Sequence, residues 1–591
     1  MVDTDSVAWN HDIAVIGMSA RFPEAENYNE FWDRLEAGKS CITEIPEERW
    51  DWKKYYKIHG KIKNRTVNHW GGFMKDMSTF DYRFFLISKR EADNMDPQQR
   101  ILMEESWACM EDAGICPSDL SGKKVGVYIA GCNTDFKDLL ERNHEISVPH
   151  HLTGSSGFVM ANRISYYYNL TGPSVQIDTA CSGSLAAIHY GIEAILNGEC
   201  EMALAGAANV MIAPDNYVRL AKMLMLSPTG QVRVFDKDAD GYVRGEGVGM
   251  VLLKPLSKAV RDGDTIHGII KATAINHCGH TKSLTYPRAE GQAEVIERAI
   301  QKAGISLKNL GYIELHGTGT PKGDPIEFNG IQKAFQDIAE QQNVEMDELQ
   351  CALGSVKTNI GHLENAAGMA SLIKVILAMK NQEIPPTLNF KQLNPLIKIE
   401  DTPFHLAVRL EPWKTKEKEP RYAGISSFGL GGTNVHLILQ EYIEEENKNM
   451  SSEQECFIFA LSAKSKEQLK RRAEVLKDYL DSHKDEFVLG DISYTLLCGR
   501  EHFEERMAFT ASTLEEVSEK LGKAVLEAAE QKENNYTDEI LYNIQCEIKN
   551  YQDDKSTDSY RKKLNKLVEA YENGADIKWK EIFDKKWRKK I

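Results

Sequence analysis

The sequence predicts an α/β fold, and two features of the chain support this class. Short apolar segments typical of strands, such as Asp12–Ile16, Lys124–Ile129 and Tyr312–Leu315, alternate with amphipathic helical segments over residues 1–445. Glycine-rich connections join them, and the strand segments are nearly continuously apolar, as in sheets whose two faces are both covered. With 591 residues, the chain is long enough for several domains, each with its own core.

Composition limits the possible partners and surroundings. The formal net charge of −16 argues against nucleic acid or an anionic membrane surface as the main partner. The longest apolar stretch, Ala366–Met379, is interrupted by Lys374 and is too short to span a bilayer. The 11 cysteines are scattered without a C-x-x-C pair, which favours a reducing compartment. We therefore expect a cytoplasmic protein without a membrane span.

The composition changes near Glu444, where a charged and polar run is typical of a connector. Beyond it, Cys456–Leu461 has the pattern of a strand and helical segments follow, which predicts a second, smaller α/β unit. The last part of the chain is highly charged and mostly helical in pattern. We therefore expect three parts: a main core over 1–445, a flanking α/β linker unit over 446–525 and a helical linker tail over 526–591.

The first candidate catalytic residue is Cys181. An alternating strand is predicted to end at this cysteine, and an amphipathic helix begins directly after it, with Leu185, Ile188 and Ile192 at helical spacing. Backbone N–H groups and the dipole at a helix N-terminus favour a thiolate, which is the nucleophilic form of cysteine. A buried structural thiol is the competing interpretation.

Two histidines lie in similar positions after predicted strands. His316 belongs to a glycine-rich loop before a helix, for which Asp324 as N-cap, a proline and then Glu327 form a strong start signal. His362 precedes the apolar helix Ala366–Met379. A protonated imidazole is disfavoured at a helix N-terminus, so we expect His362 to be a neutral hydrogen-bond donor.

A third loop, Ser426–Asn434, carries glycines that let backbone amides approach a ligand closely. One cysteine, two loop histidines and an amide-rich loop are the groups that acyl-thioester chemistry needs.

Three segments, Asp178–Ser182, His316–Thr320 and Asn359–His362, resemble the three signatures of the β-ketoacyl synthases of modular polyketide synthases. The resemblance extends over residues 12–440, with supporting matches at Ile13–Met18, Met95–Arg100 and Phe235–Gly241. It implies the thiolase fold, a duplicated α/β core of five layers (αβαβα) that forms an obligate homodimer. It also implies chain elongation by decarboxylative Claisen condensation.

The resemblance assigns roles to the candidate residues. Cys181 would accept the growing acyl chain, while His316 and His362 would polarise the carbonyl of the malonyl thioester as carbon dioxide leaves. The backbone amides of Cys181 and Phe428 would form the oxyanion hole. Lys357 and Glu364 would be the charged pair that orders the histidine loop.

Two positions depart from the family pattern and predict an altered acyl pocket. The family usually has serine where Gly183 stands, and often a second phenylalanine where Leu430 stands. The expected pocket residues are Gly183, Leu430, Gly431 and Gly432.

The resemblance also implies partners. Substrates would arrive on the phosphopantetheine of acyl carrier proteins, upstream and in the same module, and no cofactor would be bound by this domain. No G-x-S-x-G motif of an acyltransferase is present, so a separate trans-acyltransferase would supply malonyl groups. The tail resembles helices used for lateral contacts between synthases, with apolar points at Leu541, Ile544, Ile548 and Leu564.

Metal binding is not expected. Asp236–Gly241 imitates the start of a calcium-binding loop, but position twelve is Gly247. His277, Cys278 and His280 lack a fourth ligand at zinc spacing and are interpreted as a loop near the pocket entrance.

Two other functions remain open. A non-elongating ketosynthase that only transfers acyl chains is disfavoured because such proteins usually lack the motif of His316. A catalytically silent docking module of the assembly line would not need Cys181 or either histidine. The acyl chain length, the state of its β-carbon and the polyketide that is made are not predicted.

Overall fold

The computed structural model describes residues 11–57, 64–143, 149–416, 418–444, 455–483, 488–526, 538–549 and 558–582. The chain divides into two compact units. The core unit comprises Met1–Cys109, Gly122–Lys258 and Ile266–Ile443. The flanking unit comprises Met110–Ser121, Ala259–Thr265 and Glu444–Ile591. The three-part division at 445 and 525 stays a prediction.

The strands of the described residues are β1 (Ile13–Arg21), β2 (Ile42–Glu44), β3 (Trp70–Gly72), β4 (Val125–Ala130), β5 (Ser174–Ile177), β6 (Met202–Asn209), β7 (Arg244–Gly245), β8 (Gly247–Pro255), β9 (Gly268–His277), β10 (Leu310–Glu314), β11 (Cys351–Gly354), β12 (Glu383–Ile384), β13 (Phe404–Leu406), β14 (Glu411–Pro412), β15 (Tyr422–Phe428), β16 (Thr433–Gln440), β17 (Phe457–Ala463) and β18 (Glu505–Ala511).

The helices of the same residues are α1 (Tyr28–Glu36), α2 (Lys89–Asp93), α3 (Pro97–Asp112), α4 (Asp135–Arg142), α5 (His151–Ser155), α6 (Val159–Tyr167), α7 (Gly183–Leu196), α8 (Asp215–Lys222), α9 (Leu256–Asp262), α10 (Ala289–Ala303), α11 (Gly323–Gln342), α12 (Lys357–Ile360), α13 (Ala367–Asn381), α14 (Lys466–Ser482), α15 (Leu489–Cys498), α16 (Leu514–Leu526), α17 (Asp538–Lys549) and α18 (Asp558–Glu572).

The core unit contains a duplicated sheet. Its strand order is β13-β11-β10-β15-β16-β9-β1-β8-β6-β4-β5. The half β5-β4-β6-β8-β1 and the half β11-β10-β15-β16-β9 repeat the same order along the chain. In each half the three outer strands are parallel and the pairs toward β1 or β9 are antiparallel. The two halves meet where β1 pairs with β9. The duplicated α/β core that the resemblance implies is therefore confirmed.

Helices α7 and α13 form the central layer between the two halves of the sheet. Helix α7 contacts β4 and β6 of one half and β9 and β16 of the other, and α13 contacts both α7 and β15. Nearly every residue of α13 is buried, as its apolar sequence predicts. Lys374 is a buried charged residue of this largely apolar helix. Its Nζ lies 2.7 Å from Glu314 Oε2, and both side chains are fully buried. A lone buried charge would be costly, and this ion pair compensates it.

The flanking unit is built on the antiparallel pair β17–β18. Alternate residues of β17 enter two different apolar cores, Phe459 and Leu461 with α14 and α16, and Ile458 and Ala460 with α15, α17 and α18. This period of two is that of a strand covered on both faces.

The apolar points of the C-terminal helices are buried inside this unit. The exposed fractions are 6%, 8%, 2% and 3% for Leu541, Ile544, Ile548 and Leu564, which share one core with β17. These four side chains are therefore not free for a lateral contact, and the expectation that the C-terminal helices make such contacts stays a prediction. In the part of the chain that the structure describes, no helix is both long enough and apolar enough to cross a membrane.

Candidate active site

Cys181 lies on a tight turn between β5 and α7, although the strand ends earlier than the sequence predicts. Strand β5 ends at Ile177, and a short 3₁₀ helix, Ala180–Ser182, leads into α7. Ala180 has a φ of +52°, in the left-handed region that side chains with a Cβ rarely adopt. Asp178 Oδ1 accepts a hydrogen bond from Ala180 N–H at 3.0 Å and so holds this turn. Strain of this kind persists only where the surrounding structure fixes it.

The glycine loop between β15 and β16 holds the nucleophile from the other side. Ser427 Oγ donates to the carbonyl oxygen of Cys181 at 2.8 Å. The backbone N–H groups of Leu430 and of Cys181 itself donate to the sulfur, which lowers the pKa of the thiol. Burial and the Glu364 carboxylate act in the opposite direction and prevail, raising that pKa to about 12. Enclosure by protein therefore outweighs the effect of the helix N-terminus, and the neutral thiol is favoured.

His316 and His362 lie side by side with their rings 5.6 Å apart and nearly perpendicular. His316 Nδ1 accepts from Phe428 N–H at 3.4 Å, and His362 Nδ1 accepts from Glu364 N–H at 3.1 Å. Each neutral ring therefore carries its proton on Nε2. Burial and the positive charge of Lys357 lower the pKa of both imidazoles well below the usual value. His362 Nε2 is buried and has no partner among the described residues.

The two expected supporting residues do not pair with each other. Glu364 instead forms a two-pronged ion pair with Arg244, with Nε to Oε1 at 2.6 Å and Nη2 to Oε2 at 3.0 Å. Arg244 is fully buried and also lies over the ring of Tyr217, 4.8 Å from its centroid. Lys357 is buried and has no ion pair within 4.0 Å among the described residues. Burial lowers its pKa, although Glu314 and Glu327 oppose this.

Two carboxylates that look like helix caps instead fasten the loop of His316. Helix α11 begins at Gly323, so the expected N-cap role of Asp324 is wrong. Asp324 Oδ2 accepts from Phe235 N–H at 2.8 Å. Glu327 Oε1 and Oε2 accept from the N–H groups of His316 and Gly317 at 2.7 and 2.8 Å. These bonds fix the backbone that carries the first histidine.

The glycine loop places Leu430, and not Phe428, at the thiol. The N–H of Phe428 is directed to His316, so the expected oxyanion role of Phe428 is wrong in this geometry. A Cβ at Gly429 would lie 2.5 Å from Thr179 O, which explains why only glycine fits there. Gly431 has open space around it. His277 lies beside this part of the glycine loop, with its Nε2 2.9 Å from Gly431 O.

Three family models match the chain. "Beta-ketoacyl synthase, N-terminal domain" matches residues 10–259, "Beta-ketoacyl synthase, C-terminal domain" matches residues 267–391, and "CurL-like, PKS C-terminal" matches residues 457–521. The first two together cover more than half of the chain. The chain belongs to the β-ketoacyl synthase family. Enzymes of this family in polyketide synthases, the ketosynthases, are acyltransferases that form C–C bonds by Claisen condensation.

The similar proteins are polyketide synthases. Polyketide synthase PksN of Bacillus subtilis (strain 168) is 41% identical over 590 residues, which is 98% of this chain and 11% of that protein. Polyketide synthase ThaG of Burkholderia thailandensis is 43% identical over 514 residues, or 85% of this chain and 9% of that protein. The ketosynthase chain thus spans about a tenth of the length of these curated relatives. Relatives of this kind suggest the trans-acyltransferase type.

A solved structure shows the same fold. The ketosynthase from module 6 of the bacillaene synthase from Bacillus subtilis 168 matches with a TM-score of 0.85 and 36% identity, over 97% of this chain and 96% of that one. The expected thiolase-like fold is therefore confirmed.

The position of Gly183 differs from the expectation of an open pocket residue. Gly183 is buried at the start of α7, and a Cβ there would lie 3.1 Å from Ala130 Cβ and 3.3 Å from Asn365 Nδ2. Leu430 keeps part of its surface accessible, as do Cys181 and His316. Leu430, and not Gly183, thus borders the accessible side of the ketosynthase thiol.

Two buried charged residues of the site were missed by sequence reasoning: Arg244 and Glu314. Glu314 accepts from Tyr312 Oη–H at 2.6 Å and from Val356 N–H at 2.7 Å, besides pairing with Lys374. Glu314 is the last residue of β10, so its position two residues before His316 was the available signal. A buried arginine such as Arg244 gives no local signal. Among the described residues, no three His, Cys, Asp or Glu side chains are grouped so that they could hold a metal ion.

Proposed function

We propose that this ketosynthase elongates a polyketide chain by decarboxylative Claisen condensation, with the acyl chain held on Cys181. One observation supports this most strongly: the Ser427–Phe428 segment binds the carbonyl of Cys181 and the ring of His316, and so couples the thiol to two neutral imidazoles. A thiol beside two Nε2–H donors suits acyl transfer followed by stabilisation of an enolate.

In the first step, Cys181 Sγ attacks the thioester carbonyl of an acyl chain on an upstream acyl carrier protein. A new C–S bond forms, the bond to the phosphopantetheine sulfur breaks, and the proton of Cys181 leaves with the pantetheine thiol. The N–H groups of Cys181 and Leu430 face the sulfur and would hold the oxyanion of the tetrahedral intermediate. We therefore assign the second oxyanion donor to Leu430.

In the second step, a malonyl group on the carrier protein of the same module loses carbon dioxide. The electron pair of the broken C–C bond moves into an enolate, whose oxygen accepts hydrogen bonds from the Nε2–H groups of His316 and His362. The enolate carbon attacks the acyl carbonyl on Cys181, a C–C bond forms, and the sulfur leaves and regains a proton. The low pKa of both imidazoles keeps them neutral, so each remains a donor with Nδ1 already fixed.

Charged residues position this machinery. The ion pair of Arg244 and Glu364 anchors the backbone N–H that binds His362. Burial, together with the positive charge of Lys357, lowers the pKa of both imidazoles and keeps them neutral. The same proposal includes carrier proteins as direct partners, a homodimer, and a trans-acyltransferase that supplies malonyl groups. We keep the domain boundary near residue 445. Because α17 and α18 share a core with β17, we propose that the segments 446–525 and 526–591 fold as one unit.

The test separates elongation from the two alternatives. Cys181 is first acylated with an acyl-pantetheine thioester, malonyl-carrier protein is added, and carbon dioxide and the β-ketoacyl product are measured by mass spectrometry. Elongation predicts both products, and the Cys181→Ala variant should give no acyl-enzyme. Acyl transfer to the carrier protein without carbon dioxide would show a non-elongating enzyme, and no acylation of Cys181 would show a docking module.

A further inference from the structure

His277 binds the glycine loop that faces the nucleophile. It is the last residue of β9 and pairs there with Thr433, the first residue of β16. Its Nε2 lies 2.9 Å from the carbonyl oxygen of Gly431, and its Nδ1 accepts a hydrogen bond from Gly279 N–H at 3.0 Å. A neutral imidazole has one N–H and one bare nitrogen, so the ring carries its proton on Nε2 and donates it to Gly431. Both nitrogens of this exposed ring are thus engaged.

The tip of the glycine loop depends on hydrogen bonds to its backbone. Two such bonds close the base of the loop, Gly429 N–H to Thr433 O at 2.7 Å and Gly432 N–H to Gly429 O at 2.9 Å. They leave Leu430 and Gly431 at the tip. A Cβ on Gly431 would meet no atom of the described residues within 4 Å, and glycine restricts the backbone least of all residues. The bond from His277 therefore holds a segment that has little packing of its own.

The group that His277 holds is next to the group that faces the thiol. Leu430 N–H donates to the sulfur of Cys181, and one residue later the carbonyl oxygen of Gly431 accepts from His277. Because the two groups are so close along the chain, a shift of the Gly431 carbonyl would move the N–H of Leu430 with it.

The segment that presents His277 is itself fastened to the base of the loop. Cys278 N–H donates to Gly432 O at 2.9 Å. Asn434 Nδ2 donates to Asn276 Oδ1 at 3.0 Å and lies 3.3 Å from Cys278 Sγ, with Cys278 and Asn434 both buried. Gly432 has a φ of +95°, and a Cβ there would lie 3.0 Å from His277 Nε2. His277 thus approaches the loop closely and from a fixed position.

Oxyanion donors are effective because they are in place before the negative charge develops. Resting on the proposed function, in which Leu430 supplies the second oxyanion donor, we propose that His277 is a positioning residue of the oxyanion hole. Its Nε2–H holds the carbonyl of Gly431 and so keeps the N–H of Leu430 directed at Cys181. His277 acts on the reaction through this loop.

Two amide side chains that differ by one methylene test this inference. His277→Gln places an amide nitrogen where Nε2 stands and keeps a donor for Gly431. His277→Asn keeps an acceptor for Gly279 N–H, but it is too short to reach the carbonyl of Gly431. Acylation of Cys181 by hexanoyl-pantetheine is followed by mass spectrometry, which gives the maximal rate and the thioester concentration at half of that rate.

The shorter amide should slow the reaction without weakening binding. His277→Asn should lower the maximal rate about three- to tenfold, the effect of one net hydrogen bond. The half-saturating concentration should stay within about twofold, because the oxyanion forms only as the reaction proceeds. His277→Gln should keep both values within about twofold of the parent, because it keeps the donor. His280→Asn, at another exposed position of the same loop, is the matched control and should change neither value.

A double variant shows whether His277 acts through Leu430. Leu430→Pro removes the N–H that His277 is proposed to position. Adding His277→Asn to Leu430→Pro should therefore cause no further loss of rate, whereas independent effects would multiply.

The outcomes separate this inference from the proposed function. An unchanged maximal rate in His277→Asn, an equal loss in His277→Gln, or a further loss in the double variant would overturn the role of His277 and leave elongation intact. Failure of the parent enzyme to acylate Cys181 would overturn the proposed function, and this inference with it.

Discussion

Glu327 is the residue whose replacement should separate the two half-reactions. Its two carboxylate oxygens accept the N–H groups of His316 and Gly317 at 2.7 and 2.8 Å, while neither oxygen binds Cys181 or its loop. Glu327→Gln keeps the volume and one acceptor oxygen but turns an NH₂ group toward one of these N–H donors. The loop that carries His316 should then shift, and the thiol should not.

The structure gives the size of the effect. A hydrogen bond to a charged group contributes about 1.5–3 kcal/mol, and the glutamine variant loses one of two such bonds. If that free energy is lost from the transition state that His316 stabilises, the rate falls about 10- to 100-fold, since 1.4 kcal/mol corresponds to a factor of ten. A displacement of about 1 Å in a catalytic group has a comparable cost.

Two assays measure the two steps at pH 8. Release of carbon dioxide from malonyl-carrier protein by acylated enzyme reports condensation, and acyl-enzyme formation reports loading of Cys181. Glu327→Gln should lower the first by about 10- to 100-fold and leave the second within about twofold. Glu340→Gln, at an exposed position of the same helix, is the matched control and should change neither. Equal losses in both steps would refute the assignment, because they would indicate a general disturbance of the core.

Three further predictions follow from the site and the flanking unit. Burial raises the pKa of Cys181 to about 12. The rate of its alkylation by iodoacetamide should therefore rise about tenfold per pH unit from pH 7 to 9. A rate that reaches a plateau near pH 7 would contradict this. Leu430→Pro removes the backbone N–H and should slow acyl-enzyme formation about 10²–10³-fold. Leu430→Ala keeps the N–H and should not slow it. Similar rates for both variants would exclude the oxyanion role of Leu430. Leu567→Ala, at a fully buried position of α18, should destabilise the flanking unit by about 2–5 kcal/mol, seen as faster limited proteolysis of that unit with unchanged acylation of Cys181.

The sequence predicted the parts of the site that follow strands. Cys181, His316 and His362 each come shortly after an apolar segment, and the ends of strands in an α/β sheet are where such residues gather. The alternation of short strands and helices also predicted the architecture of the core unit. The pairing of β1 with β9, which joins the halves, has no local signal because the two strands are about 250 residues apart.

Errors arose where tertiary contacts override a local pattern. Asp324 and Glu327 have the spacing of a helix start, but their carboxylates bind backbone N–H groups of other segments. The helix N-terminus at Cys181 favours a thiolate, yet desolvation acts on the same group and is larger. The ion pair of Glu364 with Arg244 joins residues 120 positions apart, which no spacing rule can reveal.

The direction of these pKa shifts fits a site that must hold an acyl chain before it is used. Cys181 is enclosed by protein, which limits the access of water. The acyl chain on Cys181 should therefore resist chance hydrolysis. Neutral imidazoles add to this protection, since with Nδ1 of His316 and of His362 engaged neither ring has a basic nitrogen free to activate water. The same two rings still present Nε2–H donors when an enolate forms, so the site can stabilise a carbanion while it protects the thioester.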